Sequence, residues 1–152
     1  MHYSDKLNLS DSLSPQQSET LKNLIEEALR DEFFDSDYYY GLADFIDDID
    51  DKKTVLNIHM DEEKHKNLFG ALYSMLTGNN PPKYEEEEII ISENLPDEFY
   101  SKIMDETDAV DFYTRILSNL TEKAIRDILI EIISDESIHA DLMNALYAKY
   151  KA

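Results

Sequence analysis

The sequence predicts an all-α fold, a bundle of four helices built from two antiparallel hairpins that a long crossover joins. Only three Gly and four Pro occur among 152 residues, too few for the many turns of a sheet protein. Apolar residues recur at spacings of three and four along four long stretches, as on the buried face of a helix. The second half also repeats the first without a gap, since Glu62 and Glu136, 74 residues apart, stand in matching contexts.

The composition excludes several classes of function. A net charge of -20 repels nucleic-acid phosphates and anionic membrane surfaces, and no apolar run approaches the ~18 residues of a membrane-spanning helix. The absence of cysteine excludes disulfides, thiolate catalysis and iron–sulfur sites. The polar N-terminus lacks the apolar segment of a secretory signal. We therefore expect a cytoplasmic protein with neither nucleic acid nor a membrane as partner.

The first two predicted helices form one hairpin. The first spans about residues 15–46 and opens with a capping box of Ser14 and Gln17. The second spans about residues 51–77 and ends before a glycine and two prolines. The turn near Asp47 is short, so the two helices are expected to run antiparallel.

The last two predicted helices form the second hairpin. The third spans about residues 96–119, with Asn94 as its cap. The fourth spans about residues 121–149, with Asn119 and Glu122 spaced as a capping box. Their joint is also short, so this pair too is expected to be antiparallel.

The remaining segments are a tail and a crossover. Residues 1–13 are predicted as an N-terminal tail and residues 14–152 as the bundle. The crossover, residues 78–95, is long, acidic and rich in proline, and it is long enough to cross the bundle. Its run Ile89–Ile91 is predicted either to lie against the helices or to form a short extended piece.

The internal repeat predicts a duplicated helical hairpin. One segment of the second helix recurs in the fourth, and a shorter one of the first helix recurs in the third. Two such hairpins are expected to pack with approximate two-fold symmetry, so that repeated residues face each other. The matched pairs are Asp31 and Asp105, Glu32 and Glu106, Tyr39 and Tyr113, Asp61 and Asp135, Glu62 and Glu136, and His65 and His139.

A carboxylate interrupts each apolar stripe at the same height. In the second and fourth helices a histidine follows three residues later, on the same face. Each carboxylate lies about 15 residues from the bend of its hairpin, or ~22 Å at 1.5 Å per residue. One layer of the bundle should therefore contain Glu32, Glu62, His65, Glu106, Glu136 and His139.

Four buried carboxylates would repel one another and take up protons unless cations balance them. Two divalent ions supply the matching charge, and His65 and His139 supply one nitrogen ligand each. Two carboxylates are expected to bridge the metals, with the Glu of each Glu-x-x-His pair serving one metal terminally. Mixed oxygen and imidazole ligands suit iron or manganese better than calcium or magnesium. The sequence thus predicts two iron ions, with manganese or a mixed pair as alternatives.

These motifs resemble the ferritin-like superfamily, most closely its rubrerythrin-type di-iron domain, over about residues 15–150. The resemblance is carried by Glu32 with Tyr39, Glu62-Glu63-Lys64-His65, Glu106 with Phe112-Tyr113, and Glu136-Ser137-Ile138-His139. It implies a di-iron centre that reduces hydrogen peroxide, or oxidises Fe²⁺ with dioxygen or peroxide. Turnover as a peroxidase implies an electron donor.

Two features depart from the rubrerythrin pattern, and a third departs from that of cage ferritins. Without cysteine there is no rubredoxin domain, so the electron donor is expected to be external. The extra glutamate that rubrerythrins carry one turn after the third-helix ligand is Ala109 here, while Asp35 takes the matching place in the first helix. Asp35 is therefore either a seventh metal ligand or a solvated or supporting group. The chain ends 13 residues after His139, so a homodimer is expected rather than a ferritin cage.

The two tyrosines of the repeat lie two turns after their glutamates. Tyr39 and Tyr113 can hydrogen-bond a ligand carboxylate, act as redox-active groups beside the metals, or simply fill the core. A hydrogen bond to a ligand is the expectation.

Three functions remain open from the sequence. The first is a di-iron oxidoreductase that reduces hydrogen peroxide or dioxygen. The second is a ferroxidase or iron-binding protein of bacterioferritin-like chemistry, and the third is a non-enzymatic interaction module with a structural metal. The charge-balanced site disfavours the third, and the lack of cage features disfavours iron storage, so the peroxidase ranks first.

Overall fold

The computed structural model describes residues 9–152, and within that range four helices and no strand are present. Each pair of consecutive helices forms a hairpin, and the hairpins meet where α2 faces α4 and α1 faces α3. The predicted all-α bundle is confirmed. The helices are α1 (Pro15–Ala43), α2 (Ile49–Thr77), α3 (Leu95–Ser118) and α4 (Lys123–Lys151).

The first hairpin begins and turns through side-chain caps. The Ser14 hydroxyl accepts from the Gln17 amide at 3.1 Å, and the Gln17 side chain accepts from the Ser14 amide at 2.9 Å, so the predicted capping box is present. Asp48 caps α2, which begins two residues earlier than predicted. Helix α1 ends three residues earlier than predicted because its last turn tightens, with Ile46 N donating to Ala43 O. Ile46 is still buried, which is why its apolar spacing looked helical.

In the second hairpin Asn94 stands at the predicted N-cap, but neither predicted side-chain capping bond forms. Asn94 stands at the N-cap of α3, but its side chain makes no capping bond and instead donates to Asp97 at 2.7 Å. Asn119 belongs to the end of α3, because its amide donates to the Arg115 carbonyl at 2.8 Å. The predicted box with Glu122 is therefore wrong, and α4 begins at Lys123 without a side-chain cap.

Part of the predicted tail packs onto the bundle. Residues 1–8 lie outside the described range. Leu9 is only 5% exposed and joins the apolar cluster at one end of the helices, so residues 9–13 are not a detached tail. In the crossover, Tyr84 donates to the Glu26 carbonyl at 3.2 Å and Ile91 packs against the core. Ile90 is 84% exposed, and the Ile89–Ile91 run has no regular structure.

The core consists of two apolar clusters with a polar layer between them. The first contains Leu21, Ile25 and Phe69 and lies towards the end where residues 9–13 pack. The second contains Tyr39 and Val55 and lies towards the α1–α2 turn. Burying each large apolar side chain contributes roughly 1.5–3 kcal/mol, so the clusters stabilise the bundle and fix the helices around the layer. Among residues 9–152, no helix is long and apolar enough to cross a membrane.

Candidate metal centre

All six residues predicted as metal ligands lie together in the polar layer. Each is at most 1% exposed. Each helix reaches the layer because its apolar stripe, which runs from one cluster to the other, is interrupted there by a glutamate. On α2 and α4 the histidine one turn further on extends the polar part of the stripe.

The ligand atoms form two groups that share two carboxylates. One group contains Glu32, Glu62, His65 and Glu136, and the other contains Glu62, Glu106, Glu136 and His139, with ligand atoms within 4.8 Å of one another. Glu62 and Glu136 belong to both groups, so they are placed to bridge two metals. This grouping differs from the expectation that Glu62 and Glu136 each serve one metal. Glu32 and Glu106 each belong to one group only and are the terminal carboxylates of the layer.

Each histidine reaches across to the other hairpin. His65 Nδ1 lies 2.8 Å from Glu136 Oε1 and 3.5 Å from Glu32 Oε1. His139 Nδ1 lies 3.0 Å from Glu62 Oε1 and 3.7 Å from Glu106 Oε2. The two imidazole rings lie side by side, with centroids 6.1 Å apart. The Nδ1 atoms therefore both face the layer, one for each group.

The other nitrogen of each imidazole is held by an aspartate that sequence reasoning did not assign. His65 Nε2 lies 2.9 Å from Asp135 Oδ2, and His139 Nε2 lies 2.8 Å from Asp61 Oδ2. Since a carboxylate only accepts, Nε2 carries a proton, and in the neutral ring Nδ1 is then the nitrogen whose lone pair can bind a metal. The available signal was the repeat, which extends to Asp-Glu-x-x-His in both halves.

The layer contains buried oxygen and nitrogen atoms that have no hydrogen-bond partner in the protein. Every buried side-chain atom of residues 9–152 without a hydrogen-bond partner belongs to the six residues, and they include both Nδ1 atoms. Although His65 Nδ1 is close to Glu136 Oε1, neither atom makes a hydrogen bond of acceptable geometry. A buried polar atom without a partner costs about 1–3 kcal/mol, more if charged. Metal ions bound to these atoms would remove that cost, so the residues fit a pair of metals.

Proton affinities in the layer show the same charge imbalance. Burial raises the pKa of Glu32 to about 8. Burial and neighbouring carboxylates raise the pKa values of Glu62 and Glu136 well above the ordinary value. Burial alone would also raise the pKa of Glu106, but close contacts with His139 and Glu136 lower it to about 2. Burial disfavours the charged His139 ring, yet contacts with Glu106 and Glu62 raise its pKa to about 11. Without metal, protons must balance this layer.

Two tyrosines hold the terminal carboxylates. Tyr39 of α1 donates to Glu106 Oε1 at 2.5 Å, and Tyr113 of α3 donates to Glu32 Oε1 at 2.6 Å. Both hydroxyls are buried with their rings. Each tyrosine thus fixes the glutamate of the helix opposite its own and leaves the second oxygen of that carboxylate without a partner.

Asp35 lies outside both ligand groups. Its carboxylate accepts from Lys102 Nζ at 2.8 Å, and Lys102 also donates to Asp105 at 3.2 Å. Sequence reasoning missed Lys102, which is 4% exposed. The sequence signal was a mismatch in the repeat: the position that matches Lys102 in the first half is Ala28, so a lysine stands where an apolar residue is expected.

A cavity of about 420 Å³ opens between α1 and α3 beside the layer. Its lining is mainly acidic, with one arginine and a few apolar side chains. Such a lining attracts cations. The residues are Glu27, Asp31, Phe34, Asp35, Asp105, Asp108, Ala109, Phe112, Tyr113 and Arg115.

The fold and the donor set define a class of protein. One glutamate from each of two helices and a Glu-x-x-His pair from each of the others are the ligands of ferritin-like di-metal carboxylate bundles. Within that class the chain belongs to the rubrerythrin family, whose family model matches residues 22–147.

Two similar proteins have no assigned function. The uncharacterized protein YhjR of Bacillus subtilis is 29% identical over 125 residues, covering 79% of this chain and 81% of the relative. A solved structure of a hypothetical protein from Pyrococcus furiosus superposes with a TM-score of 0.74 at 22% identity, covering 86% of this chain and 89% of the other. That structure supports the fold.

Proposed function

We propose that the protein is a di-iron oxidoreductase that reduces hydrogen peroxide, or dioxygen, with electrons from an external donor. The observation that carries this proposal is the buried layer of four carboxylates and two imidazoles, whose unpaired atoms all face one another. Oxygen and imidazole ligands without thiolate suit iron. Two bound Fe²⁺ ions would supply the two electrons that turn one hydrogen peroxide and two protons into two waters.

The side chains of the layer have distinct tasks in this proposal. Glu62 and Glu136, which belong to both groups of ligand atoms, would bind both metals, while Glu32 and Glu106 would each bind one. The hydrogen bonds from Tyr39 and Tyr113 orient the terminal carboxylates. The apolar clusters above and below exclude bulk water.

The depth of the layer favours a redox role over iron transit. All six ligands are at most 1% exposed, so a metal pair held there would be resident. Hydrogen peroxide is small and neutral, so it can reach such a site without the desolvation cost that a hydrated cation meets.

Ferroxidase activity is a second candidate, and a specific observation favours it. The acidic cavity between α1 and α3 contains Asp31, Asp35 and Asp105, which could attract Fe²⁺ to the layer. In that case iron would pass through the centre as substrate, rather than remain as a cofactor.

One experiment separates the two candidates. The metal-free protein is loaded with two equivalents of Fe²⁺ without oxygen, and its oxidation by hydrogen peroxide is compared with that by dioxygen. Oxidation by peroxide that is faster by orders of magnitude, with iron retained, supports the peroxidase. Comparable rates with uptake beyond two irons per chain support the ferroxidase. The Glu62→Ala/Glu136→Ala variant, which lacks both shared carboxylates, is the control and should show neither. A wild-type protein that binds iron but reacts with neither oxidant would overturn both.

A further inference from the structure

The internal repeat is broken next to the centre. The ligands, the two aspartates on the histidines and the two tyrosines all match across the halves. Among the positions between α1 and α3 that do not match are those of a buried ion pair: Lys102 stands where the first half has Ala28, and Asp35 stands where the second half has Ala109. The approximate two-fold axis therefore relates an ion pair on one side to two alanines on the other.

The ion pair is buried unequally. The Lys102 side chain is 5% exposed and that of Asp35 is 26% exposed, with Nζ and Oδ1 at 2.8 Å. On the other side Ala28 is fully buried and carries no charge. The ammonium is the more enclosed of the two charges, and it lies over the rings of Tyr38 and Tyr39 beside the layer. The two sides of the layer therefore experience different fields.

A tyrosine connects this pair to one metal group. Lys102 Nζ lies 5.2 Å from the ring centroid of Tyr39, whose hydroxyl donates to Glu106 at 2.5 Å. A cation over a phenol ring draws electrons from it and makes the hydroxyl a stronger donor. The stronger hydrogen bond then withdraws electron density from the Glu106 carboxylate, so Glu106 becomes a weaker metal ligand.

The matching tyrosine has apolar neighbours instead. The Tyr113 ring packs against Phe69 and Phe112, with centroids 4.9 Å and 5.6 Å away. Its hydroxyl donates to Glu32 at 2.6 Å, and within residues 9–152 no lysine is recorded over its ring. Glu32 therefore keeps more electron density for a metal than Glu106 does.

We propose that the Asp35–Lys102 pair makes the two metal groups unequal. The group with Glu32 and His65 binds its metal more tightly than the group with Glu106 and His139, and the centre fills in that order. A centre that fills in order can be loaded with two different metal ions. This inference rests on the metal centre of the proposed function, but not on its reaction.

The test is a titration of the metal-free protein with Co²⁺, followed by calorimetry and by visible absorption. The wild type should bind two ions in two steps, with dissociation constants that differ by about tenfold or more. The Asp35→Ala/Lys102→Ala variant makes this side match Ala28 and Ala109, and the ratio of its two stepwise constants should fall clearly below the wild-type ratio, towards the ratio of about fourfold that two equal sites give by statistics alone. Lys102→Arg keeps the cation and should keep two steps.

The matched control removes an ion pair far from the layer. Lys123 and Asp127 form an exposed pair on α4, and the Lys123→Ala/Asp127→Ala variant should keep the wild-type separation of the two steps. The order of filling is assigned with Glu32→Gln, which should weaken the tight step, and Glu106→Gln, which should weaken the loose one.

The tyrosines give an independent test should the double alanine variant fail to fold. Tyr39→Phe removes the hydrogen bond on Glu106 and should narrow the gap between the two constants. Tyr113→Phe removes the one on Glu32 and should widen it. The inference is overturned if the wild type binds two ions with equal affinity, if the order is reversed, or if both phenylalanine variants change the gap in the same direction. Failure to bind Co²⁺ at all would instead contradict the proposed metal centre.

Discussion

His65 of α2 donates its Nε2 proton to Asp135 of α4, and this hydrogen bond of 2.9 Å joins the two hairpins behind the metal layer. The same bond recurs between His139 and Asp61 at 2.8 Å. The two contacts set the ring orientation and the tautomer in which Nδ1 is available to a metal. Several testable consequences depend on this arrangement and on the buried charges it surrounds.

Replacing Asp135 with Asn should weaken metal binding without removing a ligand. The amide no longer accepts strongly from Nε2–H, so His65 loses basicity and orientation, and affinity should fall roughly 10–100-fold. Calorimetric titration with Co²⁺ measures the change. The control is Glu131→Gln, on the same helix as Asp135. Glu131 is exposed and pairs with Lys64 of α2, so this variant should keep the wild-type affinity. An Asp135→Asn protein with wild-type affinity would contradict the role assigned to this hydrogen bond.

The metal-free protein should lose stability as the pH rises. Burial raises the pKa of Glu32 from 4.5 to about 8, so folding takes up a proton and the free energy of unfolding falls between those pH values. The pKa of His139, raised from 6.5 to about 11, acts in the same direction above pH 6.5. The pKa of Glu106 is lowered to about 2, so Glu106 stabilises the fold above pH 4.5 and this contribution is lost only as the pH falls below that value.

Urea unfolding of the metal-free protein measures this dependence, with a lower midpoint at about pH 8 than at about pH 5.5. Glu32→Gln should make the fall in midpoint smaller, because one of the groups that take up a proton on folding is gone. With metal bound, the midpoint should instead rise with pH, because metals bind the deprotonated ligands and stabilise the fold more at higher pH. If the midpoint of the metal-free protein rises between about pH 5.5 and pH 8, the layer does not take up protons on folding.

Removing one shared carboxylate should stabilise the metal-free fold while abolishing the paired site. Glu136→Gln removes a carboxyl group that burial and like-charged neighbours force to take up a proton on folding, so the free energy of unfolding at pH 7 should rise by about 1–3 kcal/mol. The variant should no longer bind two metals tightly, because Glu136 belongs to both groups. Thermal unfolding and metal titration of the same sample test both parts. A variant that is destabilised and still binds two metals would contradict this account of the layer.

The two N-caps with serine and asparagine should respond differently to alanine. Ser14 accepts a real capping bond at 3.1 Å, so Ser14→Ala should cost about 1 kcal/mol. Asn94 holds the equivalent position on α3 without a capping bond, so Asn94→Ala should cost only a few tenths of a kcal/mol. Denaturant unfolding of the two variants compares them directly. Equal losses would mean that the Ser14 hydroxyl contributes no more than the Asn94 amide.

The six layer residues could be placed from sequence because two independent patterns agree on them. Apolar spacing puts Glu62 and Glu136 on buried faces, and the repeat gives both hairpins the same distance from bend to glutamate. Both depend only on position along a helix, which the sequence determines well. Ile46 shows the limit of spacing alone, since it fills the core from the turn after α1.

Contacts between the hairpins could not be placed in the same way. Which carboxylates are shared depends on how closely α2 and α4 approach, and neither spacing nor the repeat specifies that distance. The partnership of Lys102 with Asp35 likewise spans α3 and α1. The Asn119 cap failed for a local reason, because the α3 terminus and the α4 start compete for the same side chain.

The assignment of ligands to helices has a consequence for the repeat unit. Glu32, Glu62 and His65 come from one half of the chain, but their group is completed by Glu136 from the other, and the same holds in reverse. An isolated hairpin therefore has only part of each set of metal ligands, and its carboxylates lie on the apolar face that would otherwise be buried. Neither half can complete a metal group without the other. The crossover joins the two halves covalently, so every chain carries both.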